Sequence, residues 1–272
     1  MSSPIFAGSI PQIYGQYLVP MLFAPYAADL AARVADRHPE RVLELAAGTG
    51  ALTRSLAERL SPSASLVATD ISPPMLDLGR QQGTARPVEW RPADAMALPF
   101  PDSTFDVVVC QFGVMFFPDR AGAFAEVRRV LKPGGQLIFN VWDRMDQNDF
   151  AATVDLAVRA CFPDDPPTFV ERLPHGYHDL SVIRQDLAQG GFTQSAEVTT
   201  VQFRSSAASA EVVAVGFCHG TPLRTEIERR DPAGLARVTE AARRAVEDRF
   251  GSSAVEGTMQ AHIVTVEREG TA

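Results

Sequence analysis

Val42-Leu43-Glu44-Leu45-Ala46-Ala47-Gly48-Thr49-Gly50 is a short apolar strand carrying one acid, and it runs into a turn of small residues. Ala51-Leu52-Thr53-Arg54-Ser55-Leu56-Ala57-Glu58 follows with its apolar residues at helical spacing. A second strand, Ser65-Leu66-Val67-Ala68-Thr69, ends on Asp70. A strand, a tight turn and a helix bring bare backbone against a bound cofactor. An acid after the next strand is placed to hold ribose hydroxyls.

Outward from this stretch the pattern alternates. Strands are predicted at 41–45, 66–69, 88–91, 106–110 and 136–141, and helices at 51–60, from Pro73, and at 121–130. Ser72 suits the helix N-cap, with Pro73 at the first helical position. Lys132-Pro133-Gly134-Gly135 is read as the stop after the 121–130 helix. Short apolar strands between helices imply an α/β fold, a Rossmann-like doubly wound and mostly parallel sheet. Before it, residues 10–35 carry apolar residues at helical spacing, broken by Pro20 and Pro25 into short helices. After it come helices at 150–161 and 181–189, strands at 197–203 and 260–268, and a helical block at 210–250. The expected organisation is an N-terminal helical cap (1–35), a cofactor-binding core (36–145) and a C-terminal part (146–272). That last part completes a seven-stranded sheet and supplies a helical substrate lid at about 146–180 and 205–250.

Bulk properties narrow the chemistry. The chain has 272 residues, 46% of them apolar and 21% charged, as in a globular protein with a substantial core. A formal charge of −8 without a basic cluster speaks against nucleic acid as a partner. No stretch reaches the roughly 18 apolar residues of a membrane helix. The first fifteen residues lack signal-peptide character, and three scattered cysteines form neither a disulfide framework nor a metal cluster. A cytoplasmic, metal-free protein is expected.

In an open parallel sheet, ligands bind beyond the carboxyl ends of the strands. Those ends hold Glu44 to Gly50, Asp70-Ile71, Asp94-Ala95 and Cys110-Gln111. Here the chain resembles the class I S-adenosylmethionine-dependent methyltransferases. Within them it is similar to the small-molecule group that includes the ubiquinone/menaquinone-biosynthesis C-methyltransferases. The motifs in family order are the 42–50 stretch, Ala68-Thr69-Asp70-Ile71-Ser72-Pro73-Pro74-Met75, Ala93-Asp94-Ala95-Met96-Ala97-Leu98-Pro99-Phe100, Phe105-Asp106-Val107-Val108 and Val130-Leu131-Lys132-Pro133-Gly134-Gly135. The resemblance implies S-adenosylmethionine as cofactor and assigns roles to individual residues. Gly48 and Gly50 admit its methionyl part, Glu44 lies near its ammonium, and Asp70 accepts from the ribose. Ile71 and Met75 pack on the adenine, Asp94 and Ala95 contact its edge, and Gln111 offers a backbone contact to the methionyl group. Ala46 stands where the family has its first glycine, a change tolerable if that residue keeps φ negative.

A sulfonium methyl is already activated, so in-line transfer needs alignment and exclusion of water more than a reactive side chain. The expected acceptor is a small apolar molecule, met by Tyr14, Tyr17, Phe112, Met115, Phe116, His175 and Tyr177. His175, His178 and His219, in segments read as loops, are the candidate general bases. An NAD-dependent oxidoreductase is disfavoured by the glycine spacing. A nucleic-acid or protein methyltransferase is disfavoured by Cys110-Gln111-Phe112-Gly113 in place of an Asn/Asp-Pro-Pro-aromatic signature. A non-catalytic S-adenosylmethionine-binding regulator stays open, as do a homodimer and the atom methylated.

Overall fold

A computed structural model describes residues 8–270 of the chain, so residues 1–7 of the expected cap lie outside the described residues. The chain divides into two compact units. One comprises Tyr26–Val141, Tyr177–Val201 and the residues from Ala261 on; the other comprises the residues up to Pro25, Trp142–Gly176 and Gln202–Gln260.

Seven strands form one sheet: β1 Arg41–Leu45, β2 Ser65–Asp70, β3 Glu89–Pro92, β4 Phe105–Gln111, β5 Leu131–Trp142, β6 Glu197–Ala207 and β7 Val255–Glu267. Their order is β3-β2-β1-β4-β5-β7-β6, with parallel pairing from β3 through β5. At one end of β5, Gly134 N–H bonds Arg268 O and Arg268 N–H bonds Gly135 O; at the other, Asp143 N–H bonds Gln260 O. The numbers run in opposite directions, so β7 is antiparallel to β5. The mostly parallel seven-stranded sheet is therefore as expected. Its order reverses between β1 and β4, which is where ligands enter such sheets.

The helices run in chain order as α1 Ile10–Ile13, α2 Ala24–Ala35, α3 Ala51–Arg59, α4 Pro73–Gln82, α5 Arg120–Val130 and α6 Asp149–Ala160, then α7 Phe169–Arg172, α8 Leu180–Gln189, α9 Ala210–His219, α10 Leu223–Arg230 and α11 Leu235–Phe250. Val42, Leu43 and Leu45 of β1 and Val107 to Cys110 of β4 are fully buried, which is why these strands read as unbroken apolar runs. α5 and α8 meet at Gly190, where a Cβ would stand 2.5 Å from Phe124 Cβ.

Three expectations are corrected. The prolines do not break the N-terminal segment, because Tyr14–Phe23 winds as a π-helix between α1 and α2 and Ala24 N–H reaches Val19 O. The wider turn accommodates Pro20 and runs directly into α2, whose second residue is Pro25. The Lys132–Gly135 motif does not separate helix from strand. α5 ends at Val130 and β5 starts at Leu131, with Gly134 at φ 76° inside it. Finally, Ile10–Ala35 is one helical stretch of 26 residues, long and apolar enough by length and composition to cross a membrane. Its two charges, Asp29 and Arg33, pair at 2.7 Å, and Tyr26, Leu30, Ala31 and Val34 are buried within the protein.

Arg268 closes α5. Its Nη1 donates to Arg128 O at 2.9 Å, to Arg129 O at 3.1 Å and to Leu131 O, placing a cation on the carbonyls at the helix end, of which Arg129 O also accepts Ser103 N–H. Arg268→Met removes these charge-assisted bonds, worth about 1.5–3 kcal/mol, and should lower the melting temperature by roughly 3–10 °C in a thermal scan. A shift below about 1 °C would mean that the carbonyls are satisfied without it.

Candidate functional site

The turn after β1 is built by its neighbours. Ala47 N–H bonds Thr69 O and Gly50 N–H bonds Ala47 O, both at 2.9 Å, while Thr69 Oγ1 donates to Glu44 O at 2.8 Å. Asp70 fastens the turn to β2: its Oδ2 accepts Gly48 N–H and its Oδ1 accepts Ser72 N–H, each at 2.8 Å. Burial raises the Asp70 pKa, and the N–H bonds from Ser72 and Gly48 oppose that rise. Each carboxylate oxygen has two lone pairs, so both can still accept from ribose hydroxyls. Ser72 does not cap α4 with its hydroxyl; the Asp70 carboxylate holds its N–H instead.

Gly48 and Gly50 have φ of 56° and 80°, the left-handed region that glycine enters without penalty. A Cβ on Gly50 would stand 2.7 Å from the Trp90 ring and 3.1 Å from Arg54 Nη1. Trp90 on β3 thus walls the back of the turn and also touches Gly79 of α4, and Arg54 Nη1 donates to Thr49 O at 2.8 Å. Ala46 contradicts the sequence expectation, because its φ is +51°. A methyl-bearing residue is held where the family has glycine, and the backbone bonds of Ala47 and Gly48 on either strand end impose that conformation.

Parallel register puts a row of polar groups on one face. Glu44 faces Ala68 and Val109, and Gln111 faces Asn140. Because side chains alternate, Glu44, Asp70, Gln111 and Asn140 project to the same side at the carboxyl ends of β1, β2, β4 and β5. Glu44 Oε2, Thr49 Oγ1, Gln111 Oε1 and Asn140 Nδ2 are buried there without a hydrogen-bond partner. Buried polar atoms are seldom left so, and the oxygens of Glu44, Thr49 and Gln111 fit a ligand with ammonium and hydroxyl donors. Burial pushes Glu44 up to about 8, with Thr53 and Arg54 opposing and Asp70 adding to the rise. A ligand cation beside it would pull that value down.

The remaining expected positions distribute as follows. Ile71 is 68% exposed directly beyond Asp70, an open apolar surface for a flat ring. Met75 is buried, with its terminal methyl 3.6 Å from where a Gly48 Cβ would lie, so it supports the turn. Asp94 Oδ1 accepts Met96 N–H at 2.9 Å, and Asp94 bridges Ala97, leaving Asp94 and Ala95 half-buried after β3. Met115 is buried and Phe116 half-buried in the loop after β4; Arg120 Nη2 donates to Met115 O at 3.1 Å. The same guanidinium lies 4.2 Å from the centre of the Tyr177 ring. Tyr177 is buried and its hydroxyl donates to Asp186 Oδ2 at 2.7 Å. Burial, then Asp186, raises its pKa far above the ordinary value, which fixes it as a donor. Thr200 Oγ1 lies 2.9 Å from Nδ1 of His262.

The second unit gathers other candidates. Tyr14 stacks on Phe23 at 5.0 Å between ring centres, Phe23 meets Trp142 at 6.0 Å, and Trp142 meets His175 at 6.0 Å. Tyr14 and His175 therefore belong to one aromatic row, with Tyr17 half-buried against Gly216. His175 Nδ1 lies 2.9 Å from Asp143 O; a carbonyl only accepts, so Nδ1 carries a proton. His219 is not in a loop, as expected, but ends α9. Its Nε2 lies 2.9 Å from Thr239 Oγ1, which itself donates to Leu235 O at 2.8 Å, so Nε2 is the donor. Burial, then Arg224, lowers its pKa. His178 is half-buried in the first unit. Trp90, Arg54 and Asn140 were missed by sequence reading: long-range contacts bring Trp90 to the turn and Asn140 to Phe112, and Arg54, one helical turn on, reads as an ordinary helix residue.

Comparison with known proteins places the resemblance in the sheet-forming core. Residues 43–139 match the family profile described as a methyltransferase domain. A demethylmenaquinone methyltransferase of Thermus thermophilus is 48% identical over 105 residues, covering 38% of this chain and 47% of that protein. The ubiquinone/menaquinone biosynthesis C-methyltransferase UbiE of Stutzerimonas stutzeri is 39% identical over 123 residues, covering 44% and 48%. The chain thus spans about half the length of these curated relatives. Among solved structures, the YcgJ protein of Bacillus subtilis superposes with a TM-score of 0.56 at 17% identity, covering 91% of this chain and all of that one. The [4+2]-cyclase SpnF superposes with a TM-score of 0.53 at 19% identity, covering 90% of this chain and 82% of that one.

Between pH 4.5, the ordinary Glu44 value, and about 8, the folded chain holds a proton that the unfolded chain has released. That stabilisation is complete below the lower value and is lost as pH rises through the upper one. The melting temperature of Glu44→Gln minus that of the unchanged protein, both ligand-free, should therefore grow from about pH 5.5 to about pH 8.5. A constant difference would place Glu44 in water.

Proposed function

Because residues 43–139 are a class I S-adenosylmethionine-dependent methyltransferase domain related to the ubiquinone/menaquinone-biosynthesis methyltransferases, with S-adenosylmethionine as cofactor, we propose that the whole chain transfers the cofactor's methyl group to a small apolar acceptor. The observation that carries this reading is the row of Glu44, Asp70 and Gln111 on one sheet face beside a turn of left-handed residues. Glu44 Oε2 and Gln111 Oε1 would accept from the methionyl ammonium, and Asp70 would accept from both ribose hydroxyls. Ile71 would cover the adenine, and Asp94 with Ala95 would meet its edge.

The bound cofactor supplies an activated methyl group; the chain's task is to hold it, exclude water and align a nucleophile. Phe112, Met115 and Phe116 form the apolar loop after β4 that we assign to the acceptor, together with Tyr177, whose ring braces that loop through Arg120 while its hydroxyl is anchored on Asp186. The aromatic row of Tyr14, Phe23, Trp142 and His175 suits a flat, unsaturated acceptor, and Tyr17 belongs to the same unit. Of the proposed general bases, His175 is oriented by the contact of its Nδ1 with Asp143 O, whereas His219 commits its Nε2 to Thr239. Quinone-like molecules are the first acceptors to try, because the relatives named above are demethylmenaquinone and ubiquinone/menaquinone-biosynthesis methyltransferases.

A second reading is favoured by one finding: a cyclase shares the fold, so the fold by itself does not entail methyl transfer. In that reading the chain binds S-adenosylmethionine without using its methyl group. Radiolabelled methyl transfer across a panel of hydroquinones and phenols separates the two. Label in product supports the enzyme; tight cofactor binding with no label in any product supports the binder.

Calorimetry tests the residue roles. Asp70→Asn should weaken S-adenosylmethionine binding by at least about 100-fold, through two charge-assisted bonds of about 1.5–3 kcal/mol each. Unchanged affinity would refute the ribose assignment. Binding near pH 7 should also release up to roughly one proton from Glu44, seen as a dependence of the heat on buffer, and Glu44→Gln should abolish that release. Equal proton release in both proteins would reject the ammonium assignment.

A further inference from the structure

We propose that Asn140 is a positioning residue for the methionyl end of the cofactor and acts through the Phe112 peptide; the proposal rests on the methyltransferase reading above. Asn140 lies on β5, fully buried, directly beside Gln111 in the parallel register. Two of its oxygens converge on one donor: Phe112 N–H bonds the Asn140 side-chain Oδ1 at 2.8 Å and its main-chain O at 3.3 Å. The main-chain contact continues the ladder; the shorter side-chain contact draws the peptide out of it.

The consequence is visible in the backbone. Phe112 has φ +49°, a conformation that a bulky aromatic residue disfavours. Its ring is held edge-on by Tyr26 at 5.2 Å between centres. Gly113 follows in a space that admits no side chain, since a Cβ there would stand 2.5 Å from Ala46 Cβ and 2.6 Å from Cys110 Sγ. The turn after β4 is thereby pressed onto the turn after β1, methyl group against bare Cα. Gln111, the last residue before this bend, keeps its Oε1 buried and unpartnered on the face it shares with Glu44.

Packing alone does not account for Asn140. Its Nδ2 is buried without a partner, which costs stability that a leucine of similar volume would not incur. What leucine could not supply is the Oδ1 acceptor at 2.8 Å; only the longer main-chain contact at 3.3 Å would remain to Phe112 N–H. Without that bond the peptide can relax to negative φ, lifting Gly113 from Ala46 and turning Gln111 away from Glu44.

The test is calorimetric titration with S-adenosylhomocysteine, run well below the melting temperature of each variant. Asn140→Leu should weaken binding by about 10-fold or more, whereas Asn140→Asp, which keeps an oxygen facing Phe112 N–H, should stay within about 3-fold of the unchanged protein. A residue that merely fills space would alter melting temperature without this split. Binding by Asn140→Leu within about 2-fold of the unchanged protein, or Asn140→Asp as weak as Asn140→Leu, overturns the proposal while leaving the methyltransferase reading in place. Failure of the unchanged protein to bind S-adenosylhomocysteine removes both. Should Asn140→Leu not fold, nuclear magnetic resonance on the unchanged protein decides: a slowly exchanging Phe112 amide and a positive φ support the proposal, and a fast amide or a negative φ ends it.

Discussion

The Asp70 carboxylate is the constraint on which the carboxyl edge of the sheet depends. With one oxygen it takes Gly48 N–H from the turn after β1, and with the other it takes Ser72 N–H from the start of α4. Two adjacent strand ends are thus fixed by one side chain on the face where Glu44 and Gln111 also project. The same carboxylate retains lone pairs for a ligand, so the group that shapes the turn is also poised to bind. In the proposed reading, structural and functional roles coincide, because the group that holds the turn is one that a ribose could also reach.

Two of the four non-glycine residues with positive φ among the described residues lie in the same place. Ala46 and Phe112, at the ends of neighbouring strands, both adopt positive φ without being glycine. They are joined through Gly113, whose Cα rests against the Ala46 methyl group. Such conformations persist only where surrounding contacts over-determine them, and here the contacts are named: the Gly48–Asp70 bond on one side and the Asn140–Phe112 bond on the other. Trp90 and Arg54 brace the turn from behind, which makes Gly50 irreplaceable on grounds of space as well as φ.

Much of the fold was legible because its signals are local. The apolar runs of β1 and β4, the small-residue turn and the acid ending β2 can each be read from adjacent residues, and they specify a buried parallel sheet with a ligand edge. What escaped depends on contacts distant in sequence or on alternative helical geometry. Pro20 looks like a break until Ala24 N–H is seen to reach Val19 O. Ala46 looks compatible with negative φ until its neighbours are tied to Asp70 and Thr69. His219 looked like a loop base, yet Gly216 and Gly220 flank the last turn of α9, and Thr239 on α11 fixes its ring. Asn140 sits in an apolar strand whose pattern gives no hint that its side chain reaches across to Phe112.

The most direct measurement of the central claim is a crystal structure of the chain with S-adenosylhomocysteine. The account requires both ribose hydroxyls within hydrogen-bonding distance of Asp70 and the methionyl ammonium beside Glu44 Oε2 and Gln111 Oε1. A ligand seated elsewhere, or one at this edge whose ribose leaves Asp70 bonded only to Gly48 and Ser72, would contradict it.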